Sequence, residues 1–149
     1  CEVVDFSLED DIDINKLPGL LQQTAVPGIL LTSVQLLPAN EPALVTQLSA
    51  VEYIIKVKTT SAQNLALLNL IEANALPRER RGKAYDLRPL IIDIIAEPKE
   101  NDLAVYKVTL SVKNEATGRP DEVLLAAGID PNIADIERTA LILGNGTRI

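Results

Sequence analysis

Leu90-Ile91-Ile92-Asp93-Ile94-Ile95-Ala96-Glu97, then Pro98-Lys99-Glu100-Asn101, then Leu103-Ala104-Val105-Tyr106-Lys107-Val108-Thr109-Leu110 decides the fold. Two apolar, β-branched runs flank a short polar turn, the pattern of a β-hairpin with strands over residues 90–97 and 103–113. In the second strand Val105, Lys107 and Thr109 alternate with Ala104, Tyr106, Val108 and Leu110. The latter set forms one apolar face, because successive side chains of a strand point to opposite sides.

Working outward, residues 51–58 alternate in the same way, with Val51, Tyr53, Ile55 and Val57 opposite Glu52, Lys56 and Lys58. Ser61 then caps a helix over residues 62–75 that carries Leu65, Leu68, Ile71 and Ala75 on one stripe. Beyond the hairpin, Pro120 opens a helix over residues 120–127, with Asp121 and Glu122 at its positive end and Gly128 as its stop. Residues 136–143 read as a last strand and 144–149 as a frayed tail. Together these elements have the order of a ferredoxin-like βαββαβ unit. Upstream, residues 2–9 alternate as a half-buried strand, and Asp13 is placed to cap a helix over residues 14–24. Pro18-Gly19 inside that helix makes it irregular or delays its start to Pro18. Pro27-Gly28 marks a turn, residues 29–37 a second strand closed by Pro38, and Pro42 opens a helical turn over residues 42–49. The expected fold is therefore α+β: a βαβ half-unit (1–38), a ferredoxin-like unit (39–143) with helices on one face of a mainly antiparallel sheet, and a flexible tail. One compact domain of this size buries a sizeable core.

Composition excludes more chemistry than it suggests. The chain has 149 residues, no His, no Met, no Trp and one Cys. Ser–His and Cys–His pairs and His–metal sites are therefore ruled out, and Cys1 alone supplies neither an internal disulfide nor the ligands of an iron–sulfur cluster. A glycine-rich phosphate loop is missing, since Pro77 stands where its first Gly would be and Ala84 follows Gly82-Lys83. Asp11-Ile12-Asp13-Ile14-Asn15 echoes a calcium loop but fails at Lys16 and Gln22. Asn145-Gly146-Thr147 is read as a chance sequon. No apolar run reaches a membrane-spanning length, and the N-terminus lacks a secretory pattern, so a cytoplasmic location with no membrane partner is expected. With hydrophobic residues at 47% and aromatics at 3%, the core must be aliphatic.

Net charge is −7, yet five of the 14 basic residues, Arg78, Arg80, Arg81, Lys83 and Arg88, lie within eleven positions. The acidic remainder repels nucleic acid, so no DNA partner is expected and any RNA contact must be local. This segment reads as an exposed hairpin or loop around Gly82. It is either a charge-protected edge or a contact for RNA backbone or acidic protein, with Tyr85 available to stack on a base. Arg88 and Arg119 suit bidentate capture of a phosphate or carboxylate. Against that, Asp86 and Arg88 fit a loop-to-strand staple, and Arg119-Pro120-Asp121 fits a helix start. Asp86 or Asp121 as a hydrolytic carboxylate has no supporting partner in the sequence.

Tyr85-Asp86-Leu87-Arg88-Pro89-Leu90, Gly118-Arg119-Pro120-Asp121-Glu122-Val123-Leu124 and Ile136-Glu137-Arg138-Thr139 occur in the order and spacing of a bacterial domain of unknown function, the radical-SAM-linked domain. Ala50-Val51-Glu52-Tyr53 and Leu17 with Pro27-Gly28 fit the same pattern. The chain resembles that domain over residues 2–143, and only its later portion, as a piece of a larger polypeptide would. The upstream segment of family members, with its His, Gly-Phe and Pro positions, has no match. The resemblance implies fusion to, or a gene beside, a radical S-adenosylmethionine (SAM) protein. It also implies that the iron–sulfur cluster and S-adenosylmethionine sit on that partner, with no cofactor and no catalytic or metal-ligating residue here. The expected function is a non-catalytic accessory domain that docks the catalytic domain or holds its substrate. The alternative is an RNA-binding module that presents tRNA or rRNA for modification.

Overall fold

The central hairpin forms as its alternation predicts, from β4 (Ile91–Glu100) and β5 (Leu103–Ser111), in a computed structural model that describes residues 2–112 and 117–149. The turn falls later than expected, at Asn101 and Asp102, both with positive φ (46° and 65°). Such left-handed pairs match the twist of flanking strands. Pro98 therefore lies inside β4 rather than in the turn. It is tolerated there because β4 is an edge strand in the sheet order β4-β5-β1-β6, where one row of N–H groups needs no partner. Lys113, expected to end the second strand, falls outside the described residues.

In chain order the elements are α1 (Leu17–Thr24), α2 (Leu44–Gln47), β1 (Leu48–Val57), α3 (Ser61–Leu68), β2 (Pro77–Arg80), β3 (Lys83–Asp86), β4, β5, α4 (Pro120–Ala126) and β6 (Asp135–Leu143). The chain divides into two units, residues 4–46 and residues 1–3 with 47–149. In the larger unit β1 pairs antiparallel with both β5 and β6, and β4 with β5. Removing β2 and β3 leaves β1-α3-β4-β5-α4-β6, the βαββαβ order with the strand arrangement of a ferredoxin-like sheet. The fold is thus α+β and mainly antiparallel. Its core joins Ile55, Tyr106, Val108 and Leu110 of the sheet to Leu67 of α3 and Leu124 of α4. The buried Tyr106 hydroxyl donates to Asn64 Oδ1 at 2.7 Å, as a buried phenol requires.

Local chemistry corrects several boundaries. Thr60, not Ser61, caps α3: its Oγ1 accepts from Gln63 N at 3.2 Å, and Gln63 Oε1 accepts from Thr60 N at 3.0 Å. This is a reciprocal capping box. The helix predicted through Ala75 ends at Leu68 and tightens to a 3₁₀ turn over Asn69–Glu72. The buried positions are Leu67 in α3 and Leu70 in the 3₁₀ turn, whereas Leu65 on the expected stripe is 60% exposed. The predicted frayed tail turns back through Gly146, and residues 147–149 bond to Leu141 and Leu143 of β6. Arg148 Nη2 also donates to the buried Glu52 carboxylate at 2.6 Å.

The smaller unit departs furthest from expectation. Neither residues 2–9 nor 29–37 form a strand, so the βαβ half-unit is absent. Alternation makes a segment amphipathic, but a strand exists only through a hydrogen-bonded neighbour. Val4, Phe6, Leu30 and Leu36 are all more than half exposed. Asp13 does not cap α1. Its Oδ1 accepts from Asn15 N in a separate turn, and α1 begins at Leu17, capped by Lys16 without a side-chain bond. Gln22 braces the Pro27-Gly28 turn, donating to Ile29 O and accepting from Leu31 N.

Candidate functional site

The basic segment is a two-stranded hairpin, β2 with β3, inserted between α3 and β4. Arg81 and Gly82 form its turn, both left-handed (φ 52° and 75°). The glycine adopts that conformation without strain, and the pair makes a tight two-residue loop. Register puts Arg78 opposite Tyr85 and Arg80 opposite Lys83. Residues two apart share a strand face, so Arg78, Arg80, Lys83 and Tyr85 share one face of the ribbon. Glu79, Ala84, Pro77 and Asp86 take the other.

The hairpin is stapled at its root. Asp86 Oδ1 accepts from Leu76 N at 2.7 Å and from Arg88 N at 3.0 Å. These two backbone donors hold the Asp86 carboxyl below its ordinary pKa, Leu76 first. Leu87, fully buried, donates its N–H to Leu76 O, closing the neck. Arg88 extends inward: Nε donates to Ile71 O at 2.8 Å and Nη1 to Ile91 O at 2.9 Å. The Asp86 and Arg88 donors and acceptors that the structure places are thus engaged in joining loop to sheet.

Toward the tip, Arg80 crosses to α4. Its Nε donates to Glu122 Oε1 at 2.9 Å, Nη2 reaches Glu122 Oε2, and both Nη atoms contact Thr117 O. A fork-to-fork guanidinium–carboxylate pair is a geometrically demanding contact, and the Glu122 side chain is only 13% exposed. Burial favours the neutral acid of Glu122, but Arg80 and then Tyr85 outweigh it and the pKa is lowered. The Arg80 guanidinium also lies 5.1 Å from the Tyr85 ring centroid, within cation–π range. On α4, Arg119 bridges Asp121 at 3.0 Å in a largely exposed pair. Among the described residues, Arg78, Arg81 and Lys83 have no carboxylate within ion-pair distance.

The fold thus gathers Arg78, Arg80, Lys83 and Tyr85 on one face with Arg81 at its tip. It sends Asp86 and Arg88 to the root and leaves Arg119 and Asp121 paired on α4. Glu122, the residue that fixes the face to the body, was not among the sequence candidates. Its signal was its place beside Arg119-Pro120-Asp121, masked by its ordinary look as a helix-start acid. Elsewhere, a shallow basin lined by Ile54, Val105, Pro98, Lys56, Glu100 and Glu137 carries the Lys56–Glu100 pair at 2.6 Å. Among the described residues no group of three His, Cys, Asp or Glu is placed to hold a metal, and no helix is long and apolar enough to cross a membrane.

The Tyr85 phenol is pushed up to about 12, by burial first and then by the Glu122 carboxylate, with Arg80 pulling the other way. The Glu122 carboxylate beside the phenol also receives the Arg80 guanidinium. An absorbance titration should therefore show one tyrosine ionising near pH 12 that is missing in Tyr85→Phe. A raised folded-state value means the associated stability is present below the ordinary value of 10 and is lost as pH rises toward 12. A Tyr85 that ionised near 10 would show that the phenol is solvated.

No curated protein and no solved structure matches the chain. A family model described as uncharacterized protein conserved in bacteria (DUF2344) matches residues 1–120, spanning β1 to β5, the stapled hairpin and Arg119. The chain belongs to that bacterial family.

Proposed function

We propose that the protein is a non-catalytic, cytoplasmic accessory domain of a radical SAM system, docking the catalytic domain or holding its substrate. The iron–sulfur cluster and S-adenosylmethionine belong to the partner in this reading. The observation that carries it is the cationic hairpin face. Three basic side chains without carboxylate partners among the described residues stand on a ribbon held at its root by Asp86 and Arg88 and at its flank by Glu122. A locally positive surface on a chain of net charge −7 suits recognition more than catalysis. The motif order shared with the radical-SAM-linked domain supplies the partner class. RNA presentation is the weaker reading, because Arg80 covers the ring that a base would need for stacking.

Calorimetric titration against the fused or neighbouring catalytic domain tests the proposal. Binding is expected to weaken about tenfold when Arg78 and Lys83 are both reversed to Glu, since charged contacts at an interface steer and hold the partner. Absence of binding by the parent domain would overturn the docking reading.

A further inference from the structure

We infer that the β6 edge beside Glu52 is a docking site for an extended, arginine-bearing segment of a partner protein, and that residues 144–149 are a displaceable strap over it. The inference goes beyond the docking reading and uses none of the hairpin residues. Glu52 stands on β1 between β5 and β6, with its side chain only 8% exposed. Its Oε1 accepts from Thr139 Oγ1 at 3.1 Å and from Arg148 Nη2 at 2.6 Å. Its Oε2 accepts no hydrogen bond among the described residues. A buried carboxylate is costly unless its acceptor sites are filled, and here one prong of one guanidinium fills them in part. The fork-to-fork alternative is seen at Glu122, where Arg80 reaches both oxygens. Glu52 keeps its second oxygen for another N–H of a planar guanidinium. The approach is open, because the Arg148 side chain that takes it is 57% exposed.

The strap that delivers Arg148 is lightly held. Residues 144–149 are all exposed. Beyond the turn, Leu141 N donates to Ile149 O at 2.8 Å, Ile149 N to Leu141 O at 3.0 Å and Leu143 N to Thr147 O at 2.9 Å. A segment carried by exposed backbone bonds, with little buried apolar surface, lies at the low-stability end of a fold. It covers only residues 141–143 of β6, whose outer edge over residues 135–140 has no strand partner among the described residues. A longer extended segment would take the same bonds and continue along that row of N–H and C=O groups. Charge selects the occupant. A chain of net charge −7 attracts a basic segment, and Arg138, the basic residue of β6, is already paired with Glu2 at 2.9 Å. The seated Thr147-Arg148-Ile149 shows the chemistry that fits: extended backbone with an arginine reaching across β6 to Glu52.

Fluorescence anisotropy with a labelled peptide of the sequence Gly144–Ile149 tests this on the intact chain. The tethered strap competes at an effective concentration on the order of millimolar, so the parent should bind the peptide poorly. Gly146→Val places a β-branched residue at φ 84°, a strained conformation that loosens the strap. It should bind the peptide about tenfold more tightly than the parent. Glu52→Gln added to that variant should cancel the gain, as loss of a charge-assisted contact does. The Arg148→Lys form of the peptide should bind about threefold more weakly, because lysine lacks the planar fork. Hydrogen exchange gives a readout that does not depend on Gly146→Val folding. In Arg148→Gln the Leu141 and Leu143 amides should exchange about tenfold faster than in the parent, with Val108 of β5 unchanged. Equal peptide binding by parent and Gly146→Val, binding indifferent to Glu52→Gln, or Leu141 and Leu143 amides unmoved by Arg148→Gln would each overturn the inference. Dimerisation of the parent that Arg148→Gln abolishes would name a second copy's strap as the occupant and overturn the partner reading.

Discussion

Leu87→Ala is expected to lower the stability of the larger unit by about 2–5 kcal/mol, the range for deleting a fully buried leucine side chain. Leu87 has no exposed surface and belongs to the central core with Leu90, Leu110 and Leu124. Its backbone N–H simultaneously closes the hairpin neck on Leu76 O. Truncation therefore opens a cavity where the hairpin joins the sheet, beside the Arg88 bonds to Ile71 O and Ile91 O. Denaturant unfolding should show a lower midpoint with an unchanged slope, the mark of a stability change without altered compactness. Leu65→Ala is the matched control. Helical periodicity alone assigns Leu65 to the core stripe, whereas its exposure of 60% makes its loss small, within about 0.5 kcal/mol. Equal losses at the two positions would mean that the hairpin root is not part of the core.

That pair of leucines shows where a sequence is and is not legible. The alternation of Ala104, Tyr106, Val108 and Leu110 against Val105, Lys107 and Thr109 is unambiguous because β5 lies between two partners. Its pattern is enforced on both edges, and the α+β order follows from it. Caps and turns were legible unevenly: the α3 cap is off by one residue, the α1 cap and the β4–β5 turn by about three. Thr60 replaces Ser61 because the reciprocal bond needs Gln63 three residues on, and the β4–β5 turn moves because an edge strand admits Pro98. Residues 2–9 and 29–37 misled for the opposite reason: period-two patterning reports amphipathicity, and no neighbouring strand turns it into a ladder. At the candidate site, the positive charge and the Gly82 turn were visible, but the shared face of Arg78, Arg80, Lys83 and Tyr85 depends on register. The union of Arg80 with Glu122, 42 positions away, is a product of tertiary folding alone.

Glu122→Gln is expected to cost about 1–3 kcal/mol at neutral pH, since it leaves the Arg80 guanidinium with no countercharge in a half-buried position. The upper part of that range is reached only if Arg80 stays in place over Tyr85; with its side chain 31% exposed, partial escape to water lowers the cost. The pH dependence separates this from a simple packing loss. The folded-state pKa of Glu122 is depressed below the ordinary 4.5 by Arg80 and Tyr85 acting against burial. A depressed carboxylate contributes stability above its unfolded value and loses it as pH falls through the folded one. The gap between parent and Glu122→Gln should therefore be widest near neutrality and narrow steadily below pH 4.5. Asp86, also held below its ordinary value, is present in both proteins and so does not contribute to the gap. The same exchange should lower the alkaline transition of Tyr85, because it removes the carboxylate that opposes ionisation while Arg80 remains. A stability gap constant with pH would show that Glu122 acts by shape and not by charge. The cationic face would then be held to the body by packing alone, and reversing Arg80 would cost no more than reversing Lys83.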